Sequence, residues 1–382
     1  MIAHIRPSRA AGHISAPPSK SMAHRLLIAA HLAGEGSLVE GYERSEDIAA
    51  TLDCLAALST GATLRCRESG STLRFFIPLA LLGTEPLRFE GSERLMSRPL
   101  GVYEELCRSQ GLRFDKDGCA LTVCGPLGPG RFELPGDVSS QFVTGLLFAL
   151  PLLEGDSVIA LRPPVESRSY IELTLSALRS FGVTAAWEDD CTLRVPGSQR
   201  YQPRCVRVEG DWSNAAFLMA FELLGGSVQV DGLREDSLQG DRVCREHLAA
   251  LGRGFAEISL ADCPDLGPVL FAMAAACHGA RFTDTRRLRI KESDRAEAMA
   301  AELRKFGARV SVGENEVYIA PAALHAPAEA LCSHNDHRIV MSLALLLTRC
   351  GGSILQAEAV RKSYPGFFDD IQKLGIEVEI EE

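Results

Sequence analysis

Six times along the 382-residue sequence, a small polar cluster opens a helix-length apolar run that ends at a glycine or a turn and leads into a short β-like segment. The clusters are Ser19-Lys20-Ser21, Ser69-Gly70-Ser71, Ser139-Ser140-Gln141, Asp211-Trp212-Ser213, Asp265-Leu266-Gly267 and Asn335-Asp336-His337-Arg338. Apolar runs follow at 26–33, 73–82, 142–153, 215–224, 269–276 and 339–347. A helix start presents free N–H groups and the positive end of the peptide dipole, so it is an anion site. Six such starts on one chain predict a binding surface for a strongly anionic ligand.

An amphipathic helix pattern alternates with the apolar one and ends at Gly61, Gly111, Gly182, Gly252, Gly307 and Gly375, each followed by a strand pattern such as 308–312 or 376–380. Glycine at these ends suits a left-handed cap. The glycines recur about 50 to 70 residues apart, longer than the familiar solenoid repeats, so each unit holds two helices and several strands. The repeating unit reads strand, buried helix, strand, exposed helix, then a β-hairpin such as 309–312 with 316–319. Six such α/β units exceed one ordinary core, which predicts two lobes of three units each.

Hydrophobic content of 46% with 24% charged residues predicts a soluble globular chain. No apolar run reaches the length of a membrane span, and Met1-Ile2 passes into polar sequence without a signal peptide, so a cytoplasmic protein is expected. The twelve cysteines include no C-x-x-C pair, and those in apolar contexts, such as Cys54, Cys107, Cys244 and Cys277, read as small buried thiols in a reducing compartment. Only His334 and His337 lie close among nine histidines, so no metal is expected. A net charge of −10 argues against nucleic acid. No Walker loop, G-x-G-x-x-G or G-x-S-x-G is present, and no cofactor is expected.

Against that acidic background the cations stand where the helix dipole repels them. Lys20, Arg25, Arg98, Lys291, Arg295 and Arg338 fall near predicted helix starts, and Arg74 lies close to another. One exposed arginine would be an ordinary solvated side chain, but seven at dipole-opposed positions point to bound phosphate and carboxylate groups that reverse the sign of the interaction. Asp265 and Glu292 stand beside these cations. Taken alone, each reads as a cap or first-turn carboxylate; held near lysine or arginine, each can serve as proton donor or acceptor. Ser139, Ser140, Ser167 and Tyr170 are neutral donors suited to hydroxyls and phosphate oxygens, or simply to capping.

These clusters resemble, in order, the motifs of the EPSP synthase family of enolpyruvyl transferases. Ser19-Lys20-Ser21 with Arg25 resembles its S-K-S-x-x-x-R motif, and Glu68-Ser69-Gly70-Ser71-Thr72-Leu73-Arg74 its glycine-bearing phosphoenolpyruvate loop. Arg98-Pro99, Gly136-Asp137-Val138-Ser139-Ser140-Gln141-Phe142, Leu288-Arg289-Ile290-Lys291-Glu292-Ser293-Asp294-Arg295, Asn335-Asp336-His337-Arg338 and Lys362-Ser363-Tyr364-Pro365 follow the family order along essentially the whole chain.

The resemblance implies a two-lobed inside-out α/β barrel of six βαβαββ repeats, three per lobe, with one lobe at 19–209 and the other formed by 1–18 and 210–382. It implies transfer of the enolpyruvyl group of phosphoenolpyruvate to the 5-hydroxyl of shikimate 3-phosphate, through a tetrahedral ketal, with glyphosate as a competitor. The implied shikimate 3-phosphate residues are Lys20, Ser21, Arg25, Ser139, Ser140, Gln141, Ser167, Tyr170, Asp265 and Lys291. Those implied for phosphoenolpyruvate are Lys20, Gly70, Ser71, Arg98, Gln141, Arg295, Arg338 and Lys362, and Asp265, Glu292 and Lys20 carry the proton transfers. A monomer acting on small molecules, without nucleic acid or membrane, is expected. The segment from Asp47 to Gly70 is about two dozen residues shorter than the family pattern, so a peripheral hairpin is expected to be missing. Ser167-Arg168-Ser169-Tyr170 and Arg287 depart from residues common in the family, which leaves the contact at Arg287 open. The sister enzymes that act on UDP-N-acetylglucosamine carry a loop cysteine where this chain reads Gly91-Ser92-Glu93-Arg94-Leu95-Met96. A non-catalytic polyanion binder would not need Asp265, Glu292 and Lys20, and all three are present.

Overall fold

Ser19, Ser69, Ser139, Asp211 and Asp336 each place a side-chain oxygen on a backbone N–H of the following helix, so five of the six polar clusters are N-caps. The sixth differs: Asp265 lies in a 3-10 turn, Pro264–Leu266, and the helix behind it begins at Gly267 without a side-chain cap.

The computed structural model describes all 382 residues, which form two units: Pro18–Glu209, and Met1–Pro17 with Gly210–Glu382. Within Pro18–Glu209 the helices are α1 (Lys20–Ala33), α2 (Glu46–Thr60), α3 (Gly70–Ala80), α4 (Glu93–Ser97), α5 (Gly101–Ser109), α6 (Ser140–Ala149) and α7 (Arg168–Ser180). The second unit adds α8 (Trp212–Met219), α9 (Cys244–Arg253), α10 (Gly267–Ala276), α11 (Arg295–Lys305), α12 (His337–Cys350) and α13 (Phe367–Lys373). The helices with apolar runs, α1, α3 and α6 in one unit and α8, α10 and α12 in the other, are the buried ones, and each unit has its own hydrophobic core.

Four sheets share one pattern. Leu64–Arg67 pairs in parallel with Leu87–Gly91 across α3, and the hairpin Arg113–Asp117/Ala120–Cys124 closes the sheet antiparallel after α5. The same order recurs in Arg131–Pro135, Ser157–Arg162, Thr192–Val195 and Ala186–Trp187, and again in Ala256–Ser259, Ala280–Thr283, Glu316–Ala320 and Arg309–Val312. In the fourth, the N-terminal strand Ile2–Ile5 fits between Gly352–Leu355 and Val378–Glu381, standing in for one arm of the hairpin.

Two repeats are shorter than the expected βαβαββ. Leu38–Glu40 pairs only with Cys205–Arg207, and Ala11–Ser15 only with Ser227–Asp231, each as a two-stranded parallel sheet. After α2, Gly61 turns left-handed (φ 70°) and the chain enters the strand at Leu64 directly, leaving no residues for a hairpin; α9 likewise runs into the strand at Ala256. One expected cap also moves. Gly252 stays inside α9, which ends at Gly254; a Cβ there would stand 2.8 Å from Leu223 Cδ2, so the glycine lies at a close contact and not at the chain reversal. No helix is long and apolar enough to cross a membrane.

Candidate active site

Each unit carries a group of polar residues at the starts of its buried helices, and the two groups have different chemistry. In Pro18–Glu209, Lys20 is the first residue of α1, and its Nζ lies 2.8 Å from Asp47 Oδ2 in the first turn of α2. An ammonium at a helix start is disfavoured by the dipole, and Asp47 offsets that cost while fixing the side chain. Arg25, one turn further along α1, is 3% exposed. Its guanidinium donates to Thr174 Oγ1 (2.9 Å), Ser21 O (2.7 Å), Tyr170 O (3.0 Å) and Thr144 Oγ1 (3.3 Å), tying the starts of α1 and α7 together. Burial pulls its pKa down to about 10.

The start of α3 is crowded with arginine. A Cβ on Gly70 would stand 2.7 Å from Arg98 Nη1 and 3.1 Å from Arg74 Nη1, so any other residue would push the guanidinium groups from their present positions. Arg74 Nη1 donates to Gln141 Oε1 at 2.7 Å, and Gln141 Nε2 donates to Ser71 Oγ at 3.0 Å, joining the starts of α3 and α6. Ser139 caps α6, and the Glu166 N–H to Gly136 O bond (3.0 Å) holds the loop before α6 against the one before Ser167. Ser167 itself is left-handed (φ 55°, ψ 39°). Arg168 stacks on the Trp187 ring, 4.1 Å from its centre, and donates to Asp190 O, which accounts for its use in this chain.

The other unit holds a network of opposite charges. Asp265 Oδ1 lies 2.8 Å from Arg295 Nη1 and 3.2 Å from Lys291 Nζ, while Oδ2 lies 3.1 Å from Arg338 Nη2. Arg295, 1% exposed, also donates to Glu292 Oε2 at 2.7 Å and to Asp336 Oδ2 at 2.8 Å. Burial opposes its charge, yet Asp336, Glu292 and Asp265 together raise its pKa above the ordinary arginine value. Arg338 Nη2 further donates to Ser213 Oγ at 3.0 Å, and Lys362 Nζ to Asn335 O at 2.6 Å. Burial lowers the pKa of Lys291, with Arg295 and Arg287 adding to the effect and Asp265 and Glu292 opposing it. Arg287, only 7% exposed, donates to Ala261 O.

The structure thus groups Asp265, Lys291, Glu292, Arg295 and Arg338 in one ion network, with Lys362 bonded to the loop that leads into α12. It also groups Gly70, Ser71, Arg98 and Gln141, and separately Ser21, Arg25 and Tyr170. Asp47, which holds Lys20, and Ser213, which holds Arg338, were not singled out as site residues in the sequence, and Arg74, counted there among the anion-binding cations, was given to neither substrate. Arg74 ends the glycine-bearing motif and was legible there.

The family profile described as EPSP synthase (3-phosphoshikimate 1-carboxyvinyltransferase) matches residues 5–62, 59–259 and 252–371. The chain belongs to the EPSP synthase family. Among relatives bearing the name 3-phosphoshikimate 1-carboxyvinyltransferase, one from Clostridium kluyveri is 38% identical, over 98% of this chain and 97% of its own length. One from Clostridium perfringens is 36% identical over 97% of each. The solved structure of EPSP synthase from Acinetobacter baumannii superposes with a TM-score of 0.77 at 21% identity, covering 99% of this chain and all of that one. The enolpyruvyl transferase NikO from Streptomyces tendae gives 0.79 at 14% identity, covering 99% and 98%. At those identities the likeness establishes a shared α/β fold, and the sequence relatives carry the family assignment.

Proposed function

We propose that this EPSP synthase family member transfers the enolpyruvyl group of phosphoenolpyruvate to the 5-hydroxyl of shikimate 3-phosphate, releasing phosphate and 5-enolpyruvylshikimate 3-phosphate for aromatic biosynthesis. The observation that carries the chemistry is Asp265, whose carboxylate accepts from Lys291, Arg295 and Arg338 with Glu292 on the same arginine. In this reading the architecture is a two-lobed inside-out α/β barrel with three repeats per lobe, divided at 1–18, 19–209 and 210–382.

Lys20, Ser21, Arg25, Ser139, Ser140, Gln141, Ser167, Tyr170, Asp265 and Lys291 hold shikimate 3-phosphate, with Arg25 setting the helix starts from beneath. Phosphoenolpyruvate is held by Lys20, Gly70, Ser71, Arg98, Gln141, Arg295, Arg338 and Lys362. The 5-hydroxyl oxygen attacks C2 of phosphoenolpyruvate and gives up its proton, while C3 takes one, leaving a tetrahedral ketal. Loss of a proton from C3 then rebuilds the double bond as the C2–O bond to phosphate breaks. Asp265 and Glu292, with Lys20, move these protons, and the surrounding cations stabilise the anionic ketal and the departing phosphate. Glyphosate, an anion of similar charge, competes for the phosphoenolpyruvate residues. The enzyme works as a cytoplasmic monomer.

Phosphate release measured with each substrate alone and with both tests the reading. Release only when both are present supports it; release from phosphoenolpyruvate alone, or none, rejects it.

A further inference from the structure

Beneath the Lys20 and Gly70 helix starts runs a buried line of hydrogen bonds that the reaction does not itself call for. His24 Nδ1 lies 2.7 Å from Thr51 Oγ1, Thr51 Oγ1 lies 2.7 Å from Thr72 Oγ1, and Thr72 Oγ1 donates to Ser69 Oγ at 2.7 Å. All four side chains are at most 1% exposed. Ser69 Oγ is also the cap that accepts the Thr72 N–H at 3.2 Å.

Each hydroxyl has a single proton, which gives the line a direction. Thr72 uses its proton on Ser69, so Thr51 must donate to Thr72. With its proton committed, Thr51 can only accept from the imidazole. His24 is therefore protonated at Nδ1, and its Nε2, which has no hydrogen-bond partner, keeps a bare lone pair. A second proton on the ring would place an unsatisfied N–H in the core close to two cations. Burial, then Lys20, then Arg25 hold its pKa well below the ordinary histidine value.

We infer that His24, Thr51 and Thr72 are positioning residues that lock three helix starts in register, α1 with Lys20, α2 with Asp47 and α3 with Gly70, through this one-way line of hydrogen bonds. Asp47 and Thr51 are four residues apart on α2 and share a face, so one helix holds the Lys20 ammonium and the His24 ring together. Ser69, at the far end, sets the first turn of α3, where Gly70 meets Arg98 and Ser71 meets Gln141. The role of these residues in phosphoenolpyruvate binding rests on the function proposed above; the direction of the line does not.

Nitrogen-15 imidazole spectra of the intact protein at neutral pH, with the His24 signal assigned by its loss in His24→Asn, test the direction. The unsubstituted protein should show a protonated Nδ1 and a bare Nε2. Thr72→Val removes the acceptor of the Thr51 proton without touching the ring; the imidazole proton should stay at Nδ1, because Nε2 has no acceptor, and Thr72→Ser should show the same pattern. In kinetics, Thr72→Val should raise the KM for phosphoenolpyruvate roughly five- to tenfold, more than that for shikimate 3-phosphate, with kcat within about twofold. A loss of thermal stability alone would mark a merely structural role and overturn the inference. So would an Nε2-protonated ring in the unsubstituted protein, a result that stands even if Thr72→Val fails to fold. Absence of enolpyruvyl transfer by the unsubstituted chain would instead defeat the functional reading and leave the spectra to decide the line.

Discussion

Asp265 Oδ2 lies 3.1 Å from Arg338 Nη2, and the same Arg338 nitrogen donates to Ser213 Oγ at 3.0 Å. One guanidinium thus joins the start of α8, the turn before α10 and the start of α12. A carboxylate among Lys291, Arg295 and Arg338 is well oriented and strongly charge-assisted, which suits a group that must exchange a proton in a fixed direction.

Replacing Asp265 with alanine removes that group and leaves three cations facing one another. Turnover should fall by about two to four orders of magnitude, with the far-ultraviolet circular dichroism of the native protein retained. Near-normal kcat in a folded variant would remove Asp265 from the proton-transfer role.

Arg338→Lys keeps the charge and loses the planar fork. A lysine can reach Asp265 or Ser213 but cannot present parallel donors to a carboxylate, so the KM for phosphoenolpyruvate should rise by roughly tenfold or more, and that for shikimate 3-phosphate much less. Steady-state kinetics with each substrate varied separately checks this; equal rises would assign Arg338 to the other substrate.

Gly70→Ala drives a methyl group to within 2.7 Å of Arg98 Nη1 and 3.1 Å of Arg74 Nη1. The guanidinium groups must shift, so phosphoenolpyruvate should bind roughly tenfold more weakly, as expected for one charged hydrogen bond lost. Glyphosate should compete with phosphoenolpyruvate in the unsubstituted enzyme, and Gly70→Ala should relieve that inhibition. Insensitivity of the unsubstituted enzyme at high glyphosate concentration would contradict the assignment.

Glu302 on α11 is 2% exposed and braces the loop that leads into α12. Burial works against its charge, yet His334, the Cys332 N–H and Lys305 hold its pKa below the ordinary glutamate value. A depressed carboxylate pKa adds stability above the unfolded value, near pH 4.5, and that stability is lost as pH falls through the folded value. Thermal melts of Glu302→Gln should therefore lie below those of the native protein at pH 7 and converge with them in acid. A constant difference across pH would argue against the charge as the cause.

The polar cluster before each apolar run is a local signal, and Ser19, Ser69, Ser139, Asp211 and Asp336 cap helices where the sequence places them. The alternation of buried and amphipathic helices was legible for the same reason, since burial is written in composition and period. Distant pairs were not. Lys20 with Asp47, and Arg74 with Gln141 at a separation of 67 residues, depend on how helices pack, which no local pattern encodes. Gly252 misled because a glycine near a helix end can serve either a turn or a close contact, here with Leu223. Asp265 taken alone reads as a cap; only the cations near it in the sequence point to acid–base work, and its carboxylate is turned toward cations from two later segments.

In the proposed reaction an intact enolpyruvyl group moves with cleavage of the C2–O bond of phosphoenolpyruvate. Phosphoenolpyruvate carrying oxygen-18 in the bridging position, incubated with shikimate 3-phosphate and the enzyme, tests it directly by mass spectrometry. Every phosphate released should carry one labelled oxygen, with one unlabelled enolpyruvyl ether formed for each phosphate. Unlabelled phosphate, or phosphate without the ether, would contradict it.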